Sequence, residues 1–382
     1  MDSIKTSYGQ VLLVDGGGFF PELDTYQDVA WFQMDAMKML GTDVAGVSDK
    51  ELKWGISYLR ETAKSKKLPL VCANLLDKKT KQPALSPYLI KKVGTVNVGI
   101  FGVMSDKVDL GPSRDSLEVE DPATAARRVV PEMRKKGATV IVLLSQLGKV
   151  EGEDLVTGVD GIDAAIIGRN VPLLQKGRLI KNTVACYGGE QGQYIGRTIL
   201  TLDAAKKVTS GDNDTFILGP EVGEKPEVLQ IVKAFEDSFN EKQRKLDQEK
   251  QAANAIKSAD DSPQHFLGTE VCMRCHEAQA TQWKTTKHAI AWQTLINVKK
   301  DATPECVPCH VVGYKQAGGF FSGSATPKMV NVGCENCHGM GTEHDAWPET
   351  KPAMVEETCT KCHRGENDPA WNFAEKLPKV IH

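Results

Sequence analysis

An α/β domain followed by a smaller, mainly α domain is the fold class this sequence predicts, and two observations carry it. Strand-like apolar runs alternate with amphipathic helical stretches from residue 10 to residue 218 and then stop. Eight of the ten cysteines lie after residue 271, and all eight histidines after residue 264. At 382 residues the chain is also too long for one ordinary core. The boundaries read as an α/β domain at 1–220, a helical spacer and linker at 221–264, and a cysteine- and histidine-rich domain at 265–382.

Taken in order, residues 11–15, 68–73, 96–101, 139–144 and 164–167 are short apolar runs of the kind that form strands buried on both faces. Between them, residues 29–40, 49–65 and 122–136 carry their apolar side chains at helical spacing. A single long helix is expected over 225–256, where Val228, Ile231, Val232, Phe235 and Phe239 form one stripe. Its first half is expected to pack on the α/β domain, and its second half to be a solvated spacer. Residues 258–264, with Asp260, Asp261 and Pro263, read as the linker.

The last third of the chain holds the chemistry. Cys-x-x-Cys-His occurs four times: Cys272, Cys275 and His276; Cys306, Cys309 and His310; Cys334, Cys337 and His338; Cys359, Cys362 and His363. Two thiols three residues apart reach the two vinyl groups of one porphyrin, and the adjacent imidazole falls under its iron, so each motif predicts a covalently held haem c. Zinc knuckles share the Cys-x-x-Cys pair but do not need a histidine directly after it. The four remaining histidines, His265, His288, His344 and His382, provide one spare imidazole per haem, as bis-histidine ligation requires. Met273, Met329, Met340 and Met354 are the competing sixth ligands. Bis-histidine iron lacks the thioether that raises the potential, which predicts low midpoints.

Residues 265–382 leave about thirty residues per haem, too few for an apolar core of ordinary size, so a haem-cored domain with closely spaced porphyrins is expected. The formal charge of −3 and the lack of a basic tract argue against a nucleic-acid partner. No apolar run is long enough to span a membrane, and residues 1–10 lack the core of a signal peptide. Because thioether attachment takes place outside the cytoplasm, the expected site of action is periplasmic or extracellular, with a targeting segment removed or lying upstream. Cys72 and Cys186, the two cysteines outside the motifs, read as buried free thiols or, in an oxidising compartment, as a pair.

Around the motifs, several blocks resemble a known family. These are Cys272 to Trp283 followed by Lys287, His288 and Ala289; Cys306 to His310 with Gly313; Val332 to Gly339; and Trp371, Asn372 and Phe373 leading to His382. They are similar to the tetrahaem cytochromes that take electrons from hydroxylamine oxidoreductase, and to multihaem cytochromes that polymerise into conductive filaments. The resemblance implies that His344 caps the haem of His276, His288 that of His338 and His382 that of His363. It leaves the second haem five-coordinate in the hydroxylamine-pathway members, whereas this chain adds His265 upstream of the first motif. On a flexible linker, that imidazole is expected to reach the iron above His310, in its own chain or in a neighbouring copy. The implied partners are redox proteins and further copies of the chain, as a homo-oligomer or filament.

Residues 10–204 resemble the catalytic domain of periplasmic 5′-nucleotidases, which are calcineurin-like metallophosphoesterases, but with the metal ligands eroded. The family's Leu-Asp-Ala-Gly-Asp block reads Val14-Asp15-Gly16-Gly17-Gly18, and its Gly-Asn-His-Glu block reads Ser48-Asp49-Lys50-Glu51. Its Ser-His-Leu-Gly block reads Ser145-Gln146-Leu147-Gly148, and its Gly-His-x-His block reads Gly168-Arg169-Asn170-Val171. The opening Asp-x-His strand would precede residue 10. Glycine, glutamine, arginine and valine hold no dinuclear centre, so the expectation is an inactive scaffold or docking surface, in which Asp15 and Asp49 serve as a turn residue and a helix cap.

Electron transfer is thus the first functional expectation. A haem enzyme of nitrogen-oxide or hydroxylamine chemistry with one open iron is the alternative, and a redox-reporting adaptor is a third. Intact mass under denaturing conditions is expected to exceed that of the polypeptide by four haems; a smaller excess would reject the count.

Overall fold

The computed structural model describes residues 2–23, 26–189, 192–254, 263–346 and 355–381. The chain divides into two compact units, Met1–Glu224 and Lys225–His382.

In the first unit the elements run α1 (Asp2–Tyr8), β1 (Val14–Asp15), α2 (Gln27–Leu40), β2 (Val44–Gly46), α3 (Gly55–Lys66), β3 (Leu70–Val71), β4 (Leu75–Asp77), β5 (Tyr88–Val93), β6 (Val96–Met104), β7 (Leu117–Val119), α4 (Pro122–Lys135), β8 (Val140–Gln146), α5 (Lys149–Gly158), β9 (Ala164–Ile167), β10 (Arg178–Ile180), β11 (Thr183–Tyr187), β12 (Tyr194–Leu202) and β13 (Val208–Ile217). One sheet is parallel, in the order β1-β2-β3; the other has the order β10-β11-β9-β8-β6-β5 and is parallel from β11 through β6. Val44 and Val71 of the small sheet meet Val98, Ile100, Val142 and Leu144 of the large one in a shared core. On the outer faces, α2 and α3 cover the small sheet through Met34, Met37 and Leu59, while α4 and α5 cover the large one through Val129, Met133 and Leu155. The result is a four-layer α/β sandwich, the metallophosphoesterase-like architecture. Every residue of β8 is buried, because sheet or helix faces it on both sides.

Capping and turn chemistry set the helix ends. Asp121 accepts a hydrogen bond from the Thr124 N–H at 2.7 Å, and Pro122 opens α4 behind it. α2 stops at Gly41, in the left-handed region at φ 81°, where its N–H closes on the Lys38 carbonyl. Strands β5 and β10–β13 have no counterpart among the apolar runs. β5 carries Lys91 and Lys92 on a sheet edge, and the β12–β13 hairpin is half-exposed throughout, so neither needs a continuous apolar sequence. Cys72 and Cys186 are both buried and free, and burial pushes the Cys72 thiol up to about 12 and that of Cys186 to about 11.

The second unit opens with α6 (Pro226–Asn254), and residues 255–256 of the expected helix lie outside the described residues. This helix packs against the haem-motif segment of its own unit. Thr303 donates to the Asn240 side chain at 2.7 Å, Lys299 lies 3.2 Å from Asp237, and the Arg244 guanidinium grips Asp301. The linker expected at 258–264 lies outside the described residues as far as 262. Beyond it come short helices and tight turns. A small apolar cluster of Leu295, Val307, Val311, Val312, Phe320 and Met329 gives this segment a modest core of its own, beyond what a purely haem-built interior would have. Among the described residues no helix is long and apolar enough to cross a membrane.

Truncating Leu143, fully buried at the centre of β8, to Ala is expected to cost about 2–5 kcal/mol of stability in urea unfolding.

Candidate functional site

Each Cys-x-x-Cys-His motif is wound as one helical turn. In the first, the His276 N–H donates to the Cys272 carbonyl at 3.0 Å; in the last, the His363 N–H donates to that of Cys359 at 2.9 Å. The third forms the helix Cys334–His338, and the second contains the turn Val307–Cys309, closed by the His310 N–H on the Val307 carbonyl. Winding brings residues three and four apart onto one face, which places the first cysteine of a motif beside both its second cysteine and its histidine.

The motifs also come together in pairs. The Cys272 and Cys334 thiols lie within hydrogen-bonding reach of each other, and so do those of Cys309 and Cys362. In each pair the shared hydrogen bond draws one thiol down, Cys334 and Cys309, and pushes its partner up. The attachment points of the first and third motifs therefore adjoin, as do those of the second and fourth.

The spare histidines are placed with equal definition. The His344 ring faces His276 with centroids 6.3 Å apart, as the resemblance implies. The His288 ring lies 6.1 Å from that of His363, centroid to centroid, a neighbour other than the one the resemblance implies. Trp283 and Trp292 anchor the segment on either side of His288, through hydrogen bonds to the Val332 carbonyl and the Asn331 side chain. A metal bonded to a nitrogen on each side at about 2 Å holds two imidazole centroids about 6 Å apart. Both facing pairs therefore fit an iron between them. His382 lies outside the described residues. His265 is not on a loose tether: its N–H donates to the Thr342 hydroxyl at 2.9 Å, and the same hydroxyl donates back to its carbonyl at 3.0 Å.

Several supporting residues escaped the sequence reading. The Glu335 carboxylate, between the two cysteines of the third motif, is buried and accepts the N–H groups of Leu267, Gly268 and Gly341 at 2.6–2.9 Å. Asn336 beside it donates to the Val311 carbonyl and accepts from the Gly333 N–H. Nδ1 of His310 lies 2.7 Å from the Ala291 carbonyl, and Nδ1 of His363 lies 3.0 Å from the Asp368 carboxylate. A polar pair inside Cys-x-x-Cys was the one available signal, since the motif itself needs nothing particular at those positions.

In the first unit the eroded blocks converge at the C-terminal ends of β1, β2, β8 and β9. Asp15 accepts from the Gly17 N–H at 2.8 Å, a turn residue as expected, and burial holds its carboxyl above the usual range. Asp49 makes no cap bond, contrary to expectation; it pairs with the Arg169 guanidinium. The Gln146 amide donates to the Gly16 and Gly17 carbonyls at 3.1 and 2.9 Å. Glu51, fully buried, accepts from the N–H groups of Gly18, Phe20 and Ser48 and from the Ser48 hydroxyl, and burial raises its pKa. Amide and guanidinium thus stand where a metallophosphoesterase would bring imidazoles. Among the described residues, no three of His, Cys, Asp and Glu gather as a metal-ion site.

Residues 271–339 match the family model for cytochrome c554 and c-prime. Cytochrome c-554 of Nitrosomonas europaea is 33% identical over 153 residues, which cover 31% of this chain and 64% of that one. The first unit is similar to the 2′,3′-cyclic-nucleotide 2′-phosphodiesterase/3′-nucleotidase of Salmonella typhimurium, 31% identical over 125 residues. The chain joins a phosphoesterase-like domain to a cytochrome c554-like segment. The match to the Salmonella protein covers 30% of this chain and only 19% of that relative. The fold agrees: the 5′-nucleotidase precursor of Thermus thermophilus superposes with a TM-score of 0.54 at 21% identity, over 61% of this chain and 50% of that one.

Changing Glu335 to Ala leaves three backbone N–H groups without their acceptor, and is expected to cost at least about 3 kcal/mol in thermal unfolding of the haem-loaded protein.

Proposed function

We propose that the protein is an exported electron carrier that holds four c-type haems in its second unit. Two pairs of facing imidazoles, spaced as the ligands of one iron each, carry this reading. When bound, the haems supply reversible one-electron iron chemistry. The chain's own part is to attach, orient and space them. Cys272, Cys275, Cys306, Cys309, Cys334, Cys337, Cys359 and Cys362 form the thioethers, and His276, His310, His338 and His363 are the proximal ligands. His344 and His288 complete the irons of His276 and His363. By exclusion His382 falls to His338 and His265 to His310, in the same chain or between copies in a filament. Adjoining thiols from the first and third motifs, and from the second and fourth, bring two attachment edges together in each pair. Electrons thus have short steps to take within each pair.

The phosphoesterase-like unit serves as a scaffold or docking surface. A cation already paired with Asp49 and an amide spanning two glycine carbonyls occupy the ligand positions, and neither group lowers the pKa of a metal-bound water. Elemental analysis is expected to find iron and no stoichiometric zinc or manganese, with no hydrolysis of nucleotides; phosphatase activity with bound metal would overturn the scaffold reading.

The ligand assignment has a direct test. Changing His288 to Ala is expected to convert one low-spin haem to a high-spin one that binds carbon monoxide, while all four thioether attachments remain. An all-low-spin spectrum in that variant would reject His288 as a ligand. A redox titration with most midpoints well above zero would reject bis-histidine ligation altogether.

A further inference from the structure

The histidines of the second and fourth motifs are held from behind by different chemistry. Nδ1 of His310 faces the neutral Ala291 carbonyl at 2.7 Å. Nδ1 of His363 faces a carboxylate, Asp368, at 3.0 Å. We infer that Asp368 is a positioning residue that holds the haem of Cys359 and Cys362 at a lower midpoint potential than the haem of Cys306 and Cys309. The inference rests on the reading above that His363 ligates iron through Nε2, which leaves the proton on Nδ1.

A carboxylate accepts that proton's hydrogen bond more strongly than an amide carbonyl does and makes the imidazole a more basic ligand. A more electron-rich ligand stabilises Fe(III) over Fe(II). Reduction adds one electron to the iron, and the Nδ1 proton stays on the ring, so no proton has to be supplied. The contact is built rather than incidental. Trp371 stacks on the His363 ring at 4.6 Å with 19° between the planes, and its backbone N–H closes a turn onto the Asp368 carbonyl at 3.1 Å. The Trp371 indole in turn donates to Glu356, at the start of the helix Glu356–Thr360 that carries Cys359. His288 faces His363 across the iron position.

The test uses the full haem-loaded chain, with denatured intact mass confirming four haems before any potential is read. Asp368→Asn is expected to raise one of the four midpoints by the equivalent of at least a tenfold change in the Fe(III)/Fe(II) ratio, about 59 mV for a one-electron couple, and to leave the others in place. Glu357→Gln removes a carboxylate charge from the same helix without touching Nδ1 of His363 or the Trp371 indole, and is expected to leave all four where they were. Equal shifts in both variants would reduce the effect to through-space charge and overturn the proposal, as would no shift in Asp368→Asn. The unaltered protein gives a second reading: one of its low-spin ferric resonances is expected to show the narrower g spread of an imidazolate-like ligand, and four alike would overturn it. A missing haem at Cys359 and Cys362 would instead defeat the electron-carrier reading.

Discussion

A buried carboxylate with three backbone donors around it organises much of the second unit. Glu335 lies inside the third motif, yet the groups it binds come from the stretch just before the first motif, Leu267 and Gly268, and from the turn that leads to His344, at Gly341. A buried carboxylate is costly unless its oxygens are satisfied, and the three N–H groups are equally costly if left open. Each side therefore holds the other in place. Fixing residues 267–268 fixes where Cys272 begins its turn, and fixing residue 341 sets the approach of His344 to His276. Asn336, the other residue between the two cysteines, ties the same motif to Val311, next to His310. Positions that the attachment chemistry leaves free have been used to hold three motifs in one arrangement.

The first unit also holds buried carboxylates on backbone donors. Burial raises both Asp15 and Glu51, and their partners are backbone N–H groups and the Ser48 hydroxyl. Asp49 has its cation in Arg169, whose backbone takes the left-handed conformation at φ 73°. Strain of that kind persists where surrounding contacts over-determine the residue. Close approach adds a further constraint: a Cβ on Gly46 would sit 2.4 Å from the Gly16 carbonyl oxygen, so no larger residue fits there without moving the backbone.

Much of this was legible in the residues, for identifiable reasons. Strands β6, β8 and β9 are buried on both faces, and their unbroken apolar runs say so; the spacing of Cys-x-x-Cys-His names its cofactor. What could not be read was whatever depended on which segments meet. Lys91 and Lys92 on an edge strand look like surface, and so does the β12–β13 hairpin. α6 has an apolar stripe that fits any partner, and only the ion pairs to Asp301 and Lys299 decide which one it has. The partner of His288 is a choice of the same kind, because nothing local to Lys287-His288-Ala289 distinguishes His338 from His363.

The attachment of α6 sets where the haem-bearing part can be cut free. Its natural start is Lys225, forty residues before the first spare histidine and well ahead of any cysteine motif. A fragment trimmed to the chemistry alone, from residue 265, would expose the faces of Asp301 and Thr303 that Arg244 and Asn240 now cover. The long helix is thus a permanent wall of the cytochrome-like unit, and the unit that a cell could exchange between proteins is larger by that helix than the span over which its cofactor motifs can be recognised.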